Sequence, residues 1–285
     1  MCRLFGLTAG TERVSATFWL VDAPDSLVVQ SRRNVDGSGI GSFDPSGRPV
    51  LDKQPEAAFQ DEEFIREARQ AESETFVAHV RWATAGGRTV HNTHPFEMRG
   101  RIMAHNGGFS GLERLEDQLG PYRDMVLGDT DSERYFALII KQTEAHGGDV
   151  GAGITAAARW IAAHLPVSSL NTIVAAPGEL WALRYPAQHA LHILERPAGT
   201  VHVEAGARGL HVRSATSSVH APGLDSVPSV VVASEELDGE KGWRMLASGE
   251  LVHVGPDLSV RSEVVLSDPP ARLVPLPAGN PNIDT

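Results

Sequence analysis

The chain has 285 residues, 41% hydrophobic and 21% charged, the composition of an ordinary soluble globular protein with a substantial core. Lysine and arginine total 25 against 36 aspartates and glutamates, a formal net charge of −11, which argues against nucleic acid and anionic membrane as main partners. The single cysteine excludes an intrachain disulfide and a cysteine-rich zinc site; no apolar run approaches the roughly 18 residues of a membrane helix, and with no signal peptide the expected location is cytoplasmic.

In chain order, a strand-like run covers Cys2–Thr8. Residues 17–31 are ambiguous, Pro24 suggesting helix and Leu27-Val28-Val29 suggesting strand. Gly39–Phe43 and Pro49–Leu51 read as strands around the turn Asp44-Pro45-Ser46-Gly47. Asp61 is placed to cap a helix through Phe64, Ile65 and Ala68. Strands are then expected at Thr75–Trp82 and Arg101–His105. Ser110–Glu113 has capping-box spacing ahead of Leu112, Leu115 and Leu119, and Thr130–Glu133 has it ahead of Tyr135, Leu138 and Ile139. The alanine-rich Ala152–Leu165 closes at Pro166. Strands follow at Leu170–Ala175, Leu180–Arg184, Ala190–Leu194, Val227–Ala233 and Leu251–Val254. Strand-turn-strand pairs with the helices grouped at 110–165 indicate an α+β fold, helices layered on antiparallel sheets. One domain is expected over residues 2–266. The segment 267–285 carries five of the 18 prolines and reads as an irregular tail.

Chemistry concentrates at a few positions. Cys2 follows the initiator methionine, so loss of Met1 would put a thiol and a free α-amino group on one residue. A thiol needs a base to become a good nucleophile, and an α-amino group titrates near about 7.7–8.0. Cys2 would therefore serve as nucleophile and general base together. Arg81, at a strand terminus, suits bidentate capture of a carboxylate, and Trp82 would wall the pocket beside it. The Asn106 amide and Gly107 N–H would form an oxyanion hole. Asp131, at a helix start, would bind an ammonium group. Each also has an ordinary structural reading: a buried strand cysteine, a surface arginine beside a core tryptophan, an Asn-Gly hairpin turn, a helix-capping aspartate. His91, His94 and His105 invite a metal, but no HExxH or His-x-His pair accompanies them; neither metal nor cofactor is implied. Taken together, Arg81 and Asp131 would hold an α-amino acid head while the oxyanion hole takes a carbonyl some distance away, as in glutamine or any γ-glutamyl amide.

Met1–Gly6, Asp36–Ile40, His79–Thr84, Asn92–Phe96, Ala104–Gly107 and Thr130–Glu133, in this order, resemble the class II (N-terminal nucleophile) glutamine amidotransferase domain. The resemblance is closest to its stand-alone members, the YafJ-like proteins and the γ-glutamyl amidohydrolase of ergothioneine biosynthesis. It implies a four-layer αββα sandwich and a γ-glutamyl thioester on Cys2, with Asn106 and Gly107 on the oxyanion, Arg81 on the α-carboxylate and Asp131 on the α-ammonium. It further implies that Trp82 and Thr84 line the pocket and His94 braces the loop. Two departures are Ala85-Gly86, where synthetase-linked members often carry histidine, and Ser38, where stand-alone members often carry tryptophan. The expected function is hydrolysis of a γ-glutamyl amide. The alternatives are a glutaminase subunit passing ammonia to a separate synthetase in trans and a non-catalytic γ-glutamyl-binding protein.

Overall fold

The computed structural model describes residues 2–83, 86–198 and 227–276. In chain order its elements begin β1 (Arg3–Thr8), β2 (Val14–Ser15), a π-turn at Phe18–Asp22, α1 (Leu27–Gln30), β3 (Ser38–Phe43), β4 (Pro49–Gln54), α2 (Glu62–Gln70), β5 (Glu72–Ser73) and β6 (Thr75–Val80). They continue with β7 (Phe96–Met98), β8 (Arg101–Phe109), α3 (Leu112–Leu119), α4 (Asp131–Ala145), α5 (Val150–His164), β9 (Pro166–Ala176), β10 (Glu179–Arg184) and β11 (His192–Arg196). The last are β12 (Ser229–Ala233), β13 (Arg244–Met245), β14 (Glu250–Val254), β15 (Val260–Val264) and β16 (Arg272–Leu273).

Two seven-stranded sheets form the middle of the molecule, ordered β13-β11-β12-β1-β6-β3-β4 and β15-β14-β10-β9-β8-β7, with β16 added on β9. The strand pairs in the ladders are antiparallel except β16 on β9. Alternation of side chains along each strand divides the core into three layers. Leu4, Val77, Ile102, Ala104, Ile173 and Val232 meet between the sheets. Phe5, Leu7 and Phe76 point outward beneath Trp19, Leu27 and Phe64 of the first helical layer. Met103, Leu170 and Val174 point the other way, beneath Tyr135, Ile139, Ile154 and Ile161 of α4 and α5. The architecture is the expected α+β sandwich, helix layer, sheet, sheet, helix layer.

Local details differ from expectation. The ambiguous residues 17–31 hold the π-turn at Phe18–Asp22 and the short α1 at Leu27–Gln30, with turns between them. Ser110 does not cap α3: Gly111 is the N-cap, in left-handed conformation with φ 85°, and makes no side-chain cap bond. The Thr130 box forms by half. Thr130 Oγ1 accepts from Glu133 N at 3.2 Å, but the Glu133 carboxylate turns away to Leu127 N at 3.0 Å and Gly128 N at 2.6 Å. Strand β8 runs four residues beyond His105, so Asn106-Gly107 lies inside a strand and not in a hairpin turn. The segment expected to be irregular is anchored over its described part: β16 pairs with Pro166 and Val167, and Tyr185 Oη donates to Asp268 O at 2.9 Å. Residues 277–285 lie outside the described residues.

Gly6 sets how closely the sheets approach, since a Cβ there would lie 2.8 Å from Leu180 Cδ1 and 3.1 Å from Ile173 Cγ2. We expect Gly6→Val to destabilise the fold by about 1–3 kcal/mol through overpacking, read by urea denaturation, with Leu180→Ala partly restoring it. Unchanged stability of the single variant would refute this close approach.

Candidate active site

The alternation that turns Leu4 and Gly6 toward the second sheet carries Cys2 to the same face, at one end of the sandwich. On the neighbouring β6, Val77 belongs to the inter-sheet core, and the same parity carries His79 and Arg81 inward. On β8 that face holds Ile102, Ala104 and then Asn106; on β9 it holds Ile173 and then Asn171, paired in register with Asn106. Four polar or reactive side chains, Cys2, Arg81, Asn106 and Asn171, therefore end up on the facing surfaces where the apolar core stops.

Cys2 is half-buried, and its Sγ lies between the backbone of Trp82: Trp82 N donates to it at 3.3 Å and it faces Trp82 O at 3.4 Å. Burial pushes the thiol up from its ordinary value; the Trp82 N–H and the charges of Arg81 and Arg3 oppose this without overcoming it. The thiol is therefore protonated at neutral pH and needs a base. Asp36 fixes the Trp82 segment. Asp36 N donates to Arg81 O at 3.0 Å, Arg81 N donates to Gly37 O at 2.8 Å, and Asp36 Oδ2 accepts from Ala83 N at 2.9 Å. The Trp82 ring itself is 47% exposed.

Arg81 is buried, and its guanidinium donates to Gly87 O at 3.2 Å and Gly86 O at 3.4 Å. Asn92 links that loop to the start of α4: its Nδ2 donates to Gly87 O at 3.1 Å and its Oδ1 accepts from Asp129 N at 2.8 Å. Gly128 permits this, because a Cβ there would fall 2.5 Å from Asn92 Oδ1. Asp131 is half-exposed. Its Oδ2 accepts from Phe109 N at 3.1 Å and its Oδ1 from Ser132 N at 2.9 Å, and its negative charge is felt by Arg81.

Asn106 is 3% exposed, and its side-chain amide makes no hydrogen bond among the described residues. Gly107 follows where the strands press together, its would-be Cβ only 2.0 Å from Ser169 O. His105 points to the opposite face. Its Nε2 lies 3.2 Å from Ser169 O, which can only accept, so Nε2 carries the proton and Nδ1 accepts from Ser132 Oγ at 2.9 Å. His94 is buried, with its ring centroid 4.2 Å from that of His79 and 4.5 Å from that of Phe96. Of the residues singled out in the sequence, Cys2, Arg81, Trp82, Asn106, Gly107 and Asp131 gather at one end of the sandwich, and His94 packs behind them. Thr84 lies outside the described residues. Sequence reasoning assigned no site role to Asp36, Asn92 or Asn171. The available signal for Asn171 was an asparagine inside an apolar strand run.

The family model for class-II glutamine amidotransferases matches residues 1–264. The chain is 28% identical over 170 residues to the probable glutamine amidotransferase DUG3 of Saccharomyces cerevisiae, covering 52% of this chain and 47% of that protein. It is 36% identical over 110 residues to YafJ of Escherichia coli, covering 37% of this chain and 41% of the relative. The chain thus spans about half or less of the length of these relatives. A class-II glutamine aminotransferase domain protein from Silicibacter pomeroyi has a similar fold, with TM-score 0.58 at 20% identity over 92% of this chain and 97% of that one. So does the glutamine phosphoribosylpyrophosphate amidotransferase of B. subtilis, with TM-score 0.64 at 17% identity over 94% of this chain and 50% of the other.

The buried histidines make stability depend on pH. Burial, reinforced by Arg81, pushes His79 down to about 3; burial also lowers His105 and holds His94 well below its usual value. An unfolded histidine titrates near about 6.5, so below that pH the unfolded chain takes up protons that the folded chain refuses. Stability is full above about pH 6.5 and falls with acid by up to roughly 1.4 kcal/mol per pH unit per histidine. Urea denaturation at about pH 7 and about pH 5 should register the loss, and His79→Asn should reduce it by about a third; equal stability at both would contradict three neutral rings.

Proposed function

Because the chain belongs to the class-II glutamine amidotransferases, we propose that it cleaves the γ-amide bond of glutamine or a larger γ-glutamyl conjugate through a thioester on Cys2. The observation that carries this reading is the convergence of Cys2, Arg81 and Asn106 on the facing surfaces at one end of the sheets, with Asp131 at the rim. Arg81 takes the α-carboxylate and Asp131 the α-ammonium, which fixes the γ-carbonyl at the distance of the extended side chain. Trp82 lines the pocket, and His94 braces the loop from behind.

Removal of Met1 frees the Cys2 α-amino group, which takes the Sγ proton as sulfur attacks the γ-carbonyl carbon. The oxyanion forms beside the Asn106 amide and the Gly107 N–H. The C–N bond then breaks, the proton passes to the leaving nitrogen, and an amine or ammonia departs. Water adds to the thioester carbon, the C–S bond breaks, and glutamate and the free thiol are regenerated. Burial of the thiol supports a built-in base over a standing thiolate, since it disfavours the charged form. A second reading, ammonia passed to a separate synthetase, draws on the likeness to the phosphoribosylpyrophosphate amidotransferase fold.

Cys2→Ala should abolish glutamate release from every γ-glutamyl amide, with mass detection of an acyl adduct on wild-type Cys2 and none on the variant; turnover at the wild-type rate would sink the proposal. Activity should fall as pH drops through the α-amino range of about 7.7–8.0. A flat profile from about pH 6 to 9 would exclude the amine as base.

A further inference from the structure

Of the three neutral histidines behind the site, His79 and His94 make no well-formed ring hydrogen bond among the described residues, whereas His105 makes two. Its ring stands on the helix side of β8, edge-on to Tyr135 of α4 with centroids 5.5 Å apart. Nδ1 accepts from Ser132 Oγ in the first turn of α4, and Nε2 donates to Ser169 O of β9. Both attachments lead to residues of the site. Ser132 adjoins Asp131, and its N donates to Asp131 Oδ1 at 2.9 Å, while Phe109 N donates to Asp131 Oδ2 at 3.1 Å. Strand β8 therefore grips the start of α4 at two points, His105 and Phe109, which bracket Asn106 and Gly107. A Cβ on Gly108 would stand 3.7 Å from Asp131 Oδ2, so the carboxylate rests against β8 two residues beyond Asn106, about 6–7 Å along the strand. On the other side of the ring, Ser169 Oγ donates to Asn106 O at 3.2 Å, and a Cβ on Gly107 would meet His105 Nε2 at 2.8 Å.

The tautomer has a consequence of its own. With its one proton directed to Ser169 O, the ring offers Nδ1 as an acceptor and takes the single hydroxyl proton of Ser132. Asp131 Oδ1 lies 3.4 Å from the same hydroxyl and competes for that proton. Each Asp131 oxygen accepts one backbone N–H and keeps a further lone pair. Drawing the hydroxyl proton to His105 leaves Oδ1 open to a cationic donor.

We propose that His105 is a positioning residue: through Ser132 it sets where the Asp131 carboxylate stands relative to the Asn106 and Gly107 donors, and so controls how strongly substrates are selected by their α-amino group. It touches no reacting atom, and the bonds made and broken are unchanged. The inference rests on the assignment of the α-ammonium to Asp131 proposed above.

The test uses the full chain with Met1 removed, verified by intact mass, and substrate pairs that differ only in the α-amino group. Glutamine is compared with glutaramate, and γ-glutamyl p-nitroanilide with glutaryl p-nitroanilide. Wild type should favour the amino member of each pair. Ser132→Ala removes the hydroxyl and keeps the N–H that Asp131 accepts. It should lower kcat/KM for the amino substrates by about five- to tenfold, chiefly through KM, and change the deamino analogues by less than about twofold. Ser132→Thr keeps the hydroxyl and should restore the preference. His105→Asn, whose Oδ1 stands where Nδ1 stood, should retain more of the preference than His105→Leu, which offers no acceptor. In an Asp131→Asn background Ser132→Ala should cost the preference nothing further. A preference unmoved by Ser132→Ala, or equal losses within each pair, overturns the positioning role and leaves the γ-glutamyl chemistry standing. A wild type that does not distinguish the members of a pair overturns the Asp131 assignment and the inference with it. Release from none of the four overturns the γ-glutamyl reading itself.

Discussion

Everything at the candidate site depends on one strand keeping its two-residue alternation to its first residue. In β1, odd positions serve the outer helical layer and even positions the space between the sheets. Gly6 lets the sheets close, Leu4 seals the core, and Cys2 stands where the seal ends. A shift of one residue in the pairing of β1 with β6 would turn the thiol outward and bury Arg3 between the sheets. Burial of Phe5 and Leu7 on one face and Leu4 on the other forbids that shift, so the position of the Cys2 thiol is maintained by the hydrophobic core.

A second set of constraints runs through short polar side chains. Asp36 ties the loop before β3 to the segment after β6, Asn92 ties the Arg81 loop to α4, and Asn171 ties β9 to the His189 loop. Each satisfies backbone groups that regular ladders leave unpaired, and buried backbone groups without partners are costly. These same bonds set the relative placement of Arg81, Asp131 and the His189 loop. Stability and geometry are therefore hard to separate here: loosening one asparagine would free backbone polar groups and displace a charge that the site uses.

The electrostatics are consistent with chemistry that generates charge only transiently. The thiol is held neutral by burial, and the histidines behind it are neutral for the same reason. The fixed charges at this end of the sheets, Arg81 and Asp131, are of opposite sign, and each lies within electrostatic reach of the other.

The amino-acid sequence by itself determined the local features. It carries the strand period, the single thiol at position 2, the Arg-Trp and Asn-Gly pairs, and the Thr130 and Asp61 caps, because these depend on residues a few positions apart. It also made legible the family resemblance that united Cys2, Arg81, Asn106 and Asp131 before any coordinates. Only the tertiary structure decided that Asn106-Gly107 continues a strand, since the close approach to Ser169 that requires glycine comes from a partner more than sixty residues away. The same holds for Asn92, which reaches Asp129 across 37 positions, and for His105, which joins Ser132 to Ser169. Strand order and register join distant segments through shared burial and backbone pairing, and neither periodicity nor local propensity encodes which faces will meet.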